Sequence, residues 1–434
     1  MSSPILLVAV LTMLLWTAVR IRRIQPPELK KFFWPALIFK IIAGLSLGYI
    51  YFIYYGSGDT INYWLDGKII AERILQDPIN TLRILWEDDT NQNLAGLINN
   101  KPRSVFFVKI AGLIALLTDG NYVLMSIFIS YVSFLASWYA FRKLVSRFPD
   151  ARRAAAVAFL FFPSVVFWSS GLIKESLGLA SLYILTGFFL TIYGQKKIKG
   201  WEWILATLFF WIGWNLKYYW IGIFIPVVLT TLIIARLVKG RENLRRLETA
   251  LWFGLFIIFL FAATSLHPNF YPNRIVDVIW ESNQEFMNLA APGNVVHYNH
   301  LQPDFFAMAT NAPGALLAGI FRPYCWESHN LFSAMAAIEN TIVLLLVISA
   351  ATAIRKFFVS PHRILSLAII LYTVLLAIFL ALSTPNLGTL SRYKIGFLPF
   401  LVFLILYHNP AFAWLERRLP LGHKSDSGKT GNES

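Results

Sequence analysis

Long apolar blocks alternate with short polar stretches along most of this chain. A block of about 20 mainly apolar residues can cross a bilayer as an α-helix, and strict two-residue alternation, which is typical of half-buried strands, is not the dominant pattern. We therefore predict an all-α fold, a polytopic transmembrane bundle of about 11–13 membrane segments. The candidate segments are residues 4–19, 33–55, 104–118, 121–141, 154–169, 174–193, 201–214, 219–237, 250–266, 331–353, 364–383 and 395–408.

Two polar connections, residues 56–103 and 267–330, are too long to be simple turns. The first mixes isoleucine and leucine with charged residues, which predicts amphipathic helices on the membrane surface. The second is rich in proline, asparagine and histidine, and long loops of this kind are often functional. We expect both connections to be outer loops that carry amphipathic surface helices. We predict one transmembrane domain, residues 1–408, and a polar C-terminal tail, residues 409–434, which we expect to be disordered from Lys424 onward.

Composition supports the membrane assignment. The chain has 434 residues, of which 57% are hydrophobic and 14% are charged, whereas a soluble domain has about 25% charged residues. The first apolar block lacks a basic segment before it and a small-residue cleavage site, so we interpret it as a retained helix rather than a signal peptide.

The net charge of +15 comes from short basic clusters between the apolar blocks. The positive-inside rule assigns such clusters to the cytoplasm, and both long connections then lie outside. No basic, aromatic-interleaved domain is present, so nucleic-acid binding is not predicted. The clusters are Arg20, Arg22 and Arg23; Lys196, Lys197 and Lys199; Arg241, Arg245 and Arg246; and Arg355 and Lys356.

This topology contains one conflict. Only two blocks, 104–118 and 121–141, separate the first outer connection from the basic cluster that begins at Arg142. Two crossings would return the chain to the outside, so either one block does not cross or one cluster violates the rule. Block 104–118 is the weaker of the two, because it is short and contains Lys109.

Asp59 is the first candidate for chemistry. Gly56 and Gly58 allow a sharp turn where the second apolar block ends, and Asp59 follows among aromatic residues. Desolvation there would raise the proton affinity of a carboxylate, which suits a general base. The alternative is that Asp59 is only the N-cap of a helix.

Lys174 and Glu175 follow a polar break between two apolar blocks. Charged residues at membrane depth usually mark a functional site. The alternative is a short solvated hairpin, capped by Ser169 or Ser170.

The end of the second long connection places several functional groups within ten residues. Arg322 could bind two oxygens of a pyrophosphate, Tyr324 and Trp326 could stack on a sugar, and Glu327 could orient Arg322 or act as a base. The alternative is an interfacial aromatic anchor with a local Arg–Glu pair.

Three further sets of polar residues are considered as candidates for function. Glu339 lies inside an apolar block and needs a buried partner, for which Arg392 or Lys394 is the candidate. His297 and His300 could share a metal on a helix, but nearby prolines argue against that helix. Lys217 either contacts a lipid phosphate or, as we expect, extends toward the membrane surface. The single cysteine excludes an internal disulfide and a cysteine-based zinc site.

An acidic residue just after an early membrane helix, on an outer loop that leads into surface helices, resembles the GT-C superfamily of integral membrane glycosyltransferases. The stretches that carry the likeness are Asp59, Leu116–Val123, Trp138–Arg142, Phe162–Ser164 and Asn386–Lys394. They cover about the first 200 and the last 50 residues of the apolar region, by weak motifs and order of elements.

The resemblance implies a bacterial inner-membrane enzyme that uses a polyprenyl-phosphate-linked sugar donor and a glycan or lipid acceptor. Asp59 is then the catalytic base and Arg392 a lipid-phosphate contact. The paired acidic residues of that family are not present, since Thr60 follows Asp59.

We therefore predict a glycosyltransferase of cell-envelope polysaccharide assembly. Its catalytic residues are Asp59 and Glu327, and no cofactor is predicted, with a divalent cation left open. Two alternatives remain: an O-antigen-like polysaccharide polymerase or ligase, which would use Arg322, His297 and His300, and a membrane transporter. The predicted substrate-binding residues are Arg322, Arg392, Lys394, Lys174, Tyr324 and Trp326.

Overall fold

The computed structural model describes residues 4–79, 83, 94–291, 293–353 and 362–418, and these residues are almost entirely helical. The predicted disordered segment from Lys424 onward lies outside them. The α-helices are α1 (Pro4–Arg23), α2 (Pro27–Tyr49), α3 (Asp59–Gln76), α4 (Pro102–Thr118), α5 (Tyr122–Arg147), α6 (Arg152–Ala156), α7 (Pro163–Trp168), α8 (Lys174–Tyr193), α9 (Gly200–Leu237), α10 (Glu242–Arg246), α11 (Glu248–Ala263), α12 (Ile275–Asn288), α13 (Phe305–Phe321), α14 (Leu331–Ala351), α15 (Arg363–Ser383), α16 (Leu387–Tyr393), α17 (Leu398–Leu406) and α18 (Pro410–Arg418).

The described helices confirm an α-helical, multi-pass membrane protein. Seven are long and apolar enough to cross a membrane, and α16 and α17, which are bent by 67° relative to each other, make an eighth if they form one span. This number is lower than the predicted 11–13 segments. The apolar helices α4, α11 and α13 have only 16 or 17 residues, which is about 25 Å of helix, against a hydrocarbon core of about 30 Å.

Helix α9 reverses direction at Lys217. Its 38 residues contain one non-helical backbone conformation, at Lys217. A straight helix of that length would extend about 57 Å, yet Lys239, just past its end, donates a hydrogen bond of 2.8 Å to Gln195, just before its start. The helix is therefore two antiparallel segments that meet at Lys217. This agrees with the two predicted blocks 201–214 and 219–237.

The bundle has two distinct ends. At the end that we call the loop end, the described parts of the two long connections meet through an ion pair between Lys101 and Glu285. An isolated antiparallel bridge there joins Val295 to Asn386. At the opposite end, which we call the basic end, the basic clusters contact one another and neighbouring acidic residues. These contacts include Lys196–Ser146, Arg363–Glu248 and Arg153–Glu416.

The first long connection is held to the bundle by a close helix pair. The small residues Gly67 in α3 and Gly112 in α4 let the two backbones approach, because a Cβ at Gly112 would lie 2.4 Å from Ile70 and one at Gly67 would lie 3.1 Å from Ala111. Helix α4 is not among the candidate spans. That block 104–118 does not cross stays a prediction.

The described part of the second long connection is largely helical. It contains the amphipathic helix α12, of the kind predicted for this connection, and the apolar helix α13. Asn283 of α12 donates a hydrogen bond of 2.6 Å to the carbonyl of Leu382. Helix α12 is therefore packed on the bundle.

A break before α8 positions the charged residues at its start. Gly171 has a φ of 74°, and a Cβ there would lie 3.0 Å from the carbonyl oxygen of Gly44, so only glycine suits this close approach. Ser169 and Ser170 do not cap α8, as one alternative required. Their hydroxyls donate to carbonyl groups of α7, and α8 has Ile173 as its N-cap residue.

Candidate functional site

A group of charged side chains from distant parts of the chain meets at the loop end of the bundle. The residues are Asp59 at the start of α3, Arg103 at the start of α4, Lys174 and Glu175 at the start of α8, Lys217 at the reversal of α9, and Arg392 in α16. We call this group the charged centre. Each residue lies where a helix starts, ends or breaks, because the backbone there leaves the regular packing of the bundle.

Arg392 joins the two carboxylates of the charged centre. Its Nη1 atom lies 2.7 Å from Oδ2 of Asp59, and its Nη2 atom contacts Oε2 of Glu175. The guanidinium and Glu175 are buried, whereas 43% of the Asp59 side chain is exposed. The resemblance assigned Arg392 to a lipid phosphate, but its two terminal nitrogens are already bound to protein carboxylates.

Lys217 is part of the same buried network. Its Nζ atom lies 2.7 Å from Oε1 of Glu175, as an ion pair without aligned hydrogen-bond geometry, and 3.7 Å from the ring centroid of Tyr393. Only 1% of the Lys217 side chain is exposed. The expectation that Lys217 extends toward the membrane surface is therefore wrong, because the kink in α9 turns it into the bundle.

Asp59 begins α3 but does not cap it. The N-cap residue is Gly58, and no side-chain cap hydrogen bond is formed, so the capping alternative is wrong. The left-handed conformations of Gly56 and Gly58, with φ of 68° and 134°, turn the chain after a π-helical segment, Ile50–Tyr55. The turn directs the carboxylate toward Arg392.

The predicted rise in the proton affinity of Asp59 is also wrong. Burial raises its pKa, but the positive charges of Arg392 and Lys174 outweigh that effect, and the net pKa lies below the ordinary value of 3.8. Asp59 is thus ionised at neutral pH. It can accept a hydrogen bond from an incoming hydroxyl group, although it is a weaker base than the sequence suggested.

Lys174 and Arg103 stand at two helix starts beside this network, Lys174 as the first residue of α8 and Arg103 in the first turn of α4. Lys174 Nζ donates a hydrogen bond of 3.2 Å to Oγ of Ser104, the residue after Arg103. The guanidinium carbon of Arg103 lies 5.7 and 5.9 Å from the ring centroids of Tyr218 and Tyr219. Both cations are therefore positioned by polar and aromatic contacts.

The residues at the end of the second long connection form a separate pair. Arg322 binds Glu327 through two nitrogens, Nε at 3.1 Å and Nη2, and Glu327 also accepts a hydrogen bond of 2.8 Å from the backbone of Tyr324. This is the local Arg–Glu pair of the alternative interpretation. The rings of Tyr324 and Trp326 stack on each other, with their centroids 4.8 Å apart. The structure shows no direct contact between this group and Asp59.

Lys394 contacts the segment around Arg322, whereas Glu339 contacts α7. Lys394 is buried and donates to the side chain of Asn340 at 2.5 Å and to the carbonyl of Arg322 at 3.3 Å. Glu339 accepts a hydrogen bond of 2.9 Å from the backbone of Ser164, so neither predicted partner bonds it directly. Lys394 therefore anchors the segment around Arg322 instead of facing the charged centre.

The two histidines do not form the considered metal site. His297 and His300 lie in a non-helical segment and are exposed. Among the described residues, no group of three or more histidine, cysteine or acidic side chains could hold a metal ion.

An apolar cavity in the interior is separate from the charged centre. Its volume is about 60 Å³, and no charged residue lines it. Its walls include Phe159, Phe224, Tyr372 and Phe400. The cavity therefore offers no charged group to a ligand.

Sequence reasoning named Asp59, Lys174, Glu175 and Arg392 but overlooked the role of Lys217 and did not single out Arg103. Lys217 is followed in the sequence by Tyr218 and Tyr219, whereas the neighbours of Arg103 are Pro102 and Ser104. A cation next to tyrosines at the boundary of an apolar block was the available signal for Lys217. Arg103 reaches its tyrosines only through the fold.

Fold and site together define an α-helical multi-pass membrane protein with a charged centre at one end of its bundle. No family model matches the chain, and no curated protein or solved structure is significantly similar to it. Its activity must therefore be inferred from the geometry of the charged centre.

Proposed function

We propose that this protein is a membrane glycosyltransferase that moves a sugar from a polyprenyl-phosphate-linked donor to a glycan or lipid acceptor. The observation that carries the proposal is the ionised, partly exposed carboxylate of Asp59, held by Arg392 within a group of cations. The carboxylate suits a hydroxyl acceptor, and the cations suit a phosphate leaving group.

The reaction needs one bond to form and one to break. The acceptor oxygen attacks the anomeric carbon while the bond from that carbon to the phosphate oxygen breaks. Asp59 accepts the hydrogen bond, and then the proton, of the acceptor hydroxyl. The electron pair of the broken bond stays on the phosphate, whose added negative charge is stabilised by the cations of the charged centre. Arg392 positions Asp59 in this scheme, and Glu327 has no catalytic part.

The test compares Asp59→Asn with Asp277→Asn, an exposed acidic residue of α12. Membranes that contain each variant are incubated with radiolabelled polyprenyl-phosphate monosaccharides, and release of polyprenyl phosphate and label in product are measured. We expect Asp59→Asn to reduce transfer by about 100-fold or more, the range of general-base contributions, and Asp277→Asn to leave it unchanged. Full activity of Asp59→Asn would contradict the proposal.

A transporter is the second candidate, supported by the broken helix pair α16–α17 and by ion pairs within membrane-length helices. Discontinuous helices and buried charges are common in transporters. Uptake of labelled substrate into liposomes that contain the purified protein, without any glycosylated product, would favour it.

A further inference from the structure

We propose that Arg103 and Lys174 form an anion-binding subsite for one phosphate group. The subsite extends the proposed function by naming the group that the site recognises, and its identification with the donor phosphate rests on that function. The bound group would be a phosphate monoester or one phosphate of a diphosphate, carried by a lipid or free in solution.

The first observation is that Arg103 has no acidic partner among the described residues. The ion pairs of that part of the chain do not include it, and its known contacts are the faces of Tyr218 and Tyr219. The residue is exposed. Burial lowers the pKa of Arg103, but the nearby tyrosines and Glu175 outweigh that effect, and the net pKa lies above its ordinary value. The guanidinium is therefore charged and accessible, and its free N–H groups suit phosphate oxygens.

The second observation concerns Lys174. Within the described part of the chain it forms no ion pair within 4.0 Å, and its hydrogen-bond partner is the hydroxyl of Ser104. Its ammonium group lies 6.0 Å from the ring centroid of Tyr63. Because Ser104 directly follows Arg103, the two unpaired cations belong to one small region.

The charge balance of the charged centre favours an anionic ligand. Within the described part of the chain, two carboxylates, Asp59 and Glu175, belong to the charged centre. Its four cations are Arg103, Lys174, Lys217 and Arg392. The surplus, two positive charges when Lys174 is protonated, matches a phosphate monoester, which carries nearly two negative charges at neutral pH. A neutral ligand would leave this surplus unbalanced.

Two residues of the second long connection hold the tyrosine ring that Arg103 contacts. The ring of His267 stacks on Tyr218 at 3.9 Å with an angle of 7° between the planes. Asn269 donates a hydrogen bond of 2.8 Å to the hydroxyl of Tyr218. These contacts hold the ring on which Arg103 lies, so His267 and Asn269 are positioning residues for the subsite. Preorganisation of this kind reduces the entropy lost on binding.

The experiment measures binding to the full-length chain in nanodiscs of neutral lipid. Inorganic phosphate, pyrophosphate, farnesyl phosphate and farnesol are each titrated by isothermal calorimetry. The variants are Arg103→Gln, Lys174→Gln, the conservative Arg103→Lys, and Arg274→Gln as a matched control, because Arg274 is an exposed cation of the second long connection. Gel filtration and tryptophan fluorescence establish that each variant is folded.

We expect farnesyl phosphate to bind and farnesol not to bind. Arg103→Gln and Lys174→Gln should each weaken phosphate binding about 10-fold or more, since each removes a charge-assisted contact, whereas Arg274→Gln should not change it. Arg103→Lys should recover part of the affinity. Equal binding of phosphate by wild type and both neutral variants, or no binding by wild type, would overturn the subsite.

The same titrations separate the possible sources of the phosphate. Preference for farnesyl phosphate over inorganic phosphate assigns the subsite to a prenyl-linked ligand, and equal affinity assigns it to a soluble one. Competition by anionic phospholipid added to the nanodisc assigns it to a membrane headgroup and overturns its identification with the donor. Asp59→Asn should still bind farnesyl phosphate, so failure of the transferase proposal and failure of the subsite give different results.

Discussion

The buried contact between Glu175 and Lys217 offers the sharpest test of the charged centre. Glu175→Gln keeps the size of the side chain but removes its charge. Arg392 would keep Asp59 as a partner at 2.7 Å, whereas Lys217, with 1% of its side chain exposed, would lose the carboxylate at 2.7 Å. The main cost is therefore an uncompensated ammonium group inside the protein.

The expected loss of stability depends on the contacts that Lys217 keeps in the variant. Removing one member of a buried ion pair typically costs about 3–5 kcal/mol. The ring of Tyr393, 3.7 Å from the Lys217 ammonium, can offset about 1–2 kcal/mol as a cation–π contact. We therefore expect Glu175→Gln to destabilise the protein by about 1–4 kcal/mol.

The double variant Glu175→Gln, Lys217→Met removes the unpaired charge as well. A buried pair that is replaced by neutral residues of similar size often costs little, so the double variant should recover most of the lost stability. Reversible unfolding in mixed micelles, followed by tryptophan fluorescence, measures both. A single variant within about 0.5 kcal/mol of wild type, or a double variant less stable than the single one, would refute the assignment of a buried ion pair.

Three further predictions concern other parts of the molecule. The pKa of Asp59 is lowered in the folded state. The contribution of the Asp59 carboxylate to stability should therefore be fully present above about pH 4, the ordinary carboxyl range, and be lost as the pH falls through the folded pKa. The difference in stability between wild type and Asp59→Asn, measured as a function of pH, tests this expectation, and a difference that grows on acidification would contradict it. Gly112→Val should destabilise the α3–α4 pair by about 1–3 kcal/mol through overpacking, because a Cβ at this position would lie 2.4 Å from Ile70. Proteolysis of the first long connection should then become faster. An unchanged rate of proteolysis would show that the two helices are not in close contact. Cys325 is exposed near the loop end. If that end faces outward, a membrane-impermeant maleimide should label Cys325 in intact cells. A Ser146→Cys, Cys325→Ser variant, whose cysteine is at the basic end, should be labelled only after permeabilisation, and the reverse pattern would invert the topology.

Local sequence patterns were sufficient for the membrane class and for several helix breaks. Apolar block length predicted the spans that α5, α8, α14 and α15 represent, and the polar stretch around Lys217 predicted the reversal that α9 shows. These features depend on nearby residues and on the thickness of the bilayer. Seven described helices are long and apolar enough to cross a membrane. This is fewer than the predicted segments, because some apolar helices have only 16 or 17 residues and α9 joins two predicted blocks.

The pairing of charges depended on tertiary structure. Asp59 and Arg392 are 333 positions apart, and Glu175 and Arg392 are 217 apart, so no local pattern could join them. The sequence placed Asp59 correctly at the end of a membrane helix but predicted a raised proton affinity, because it contained no information about the nearby guanidinium. A pKa depends on charges within a few ångströms in space.

The sequence by itself determined that the chain is a helical membrane protein with its polar groups collected between apolar helices. Only the tertiary structure decided which of those groups are bound to one another and which, such as Arg103 and Lys174, lack an acidic partner in the described part of the chain. The physical reason is that hydrophobic block length is a local property, whereas the electrostatic environment of a side chain is created by packing distant segments together.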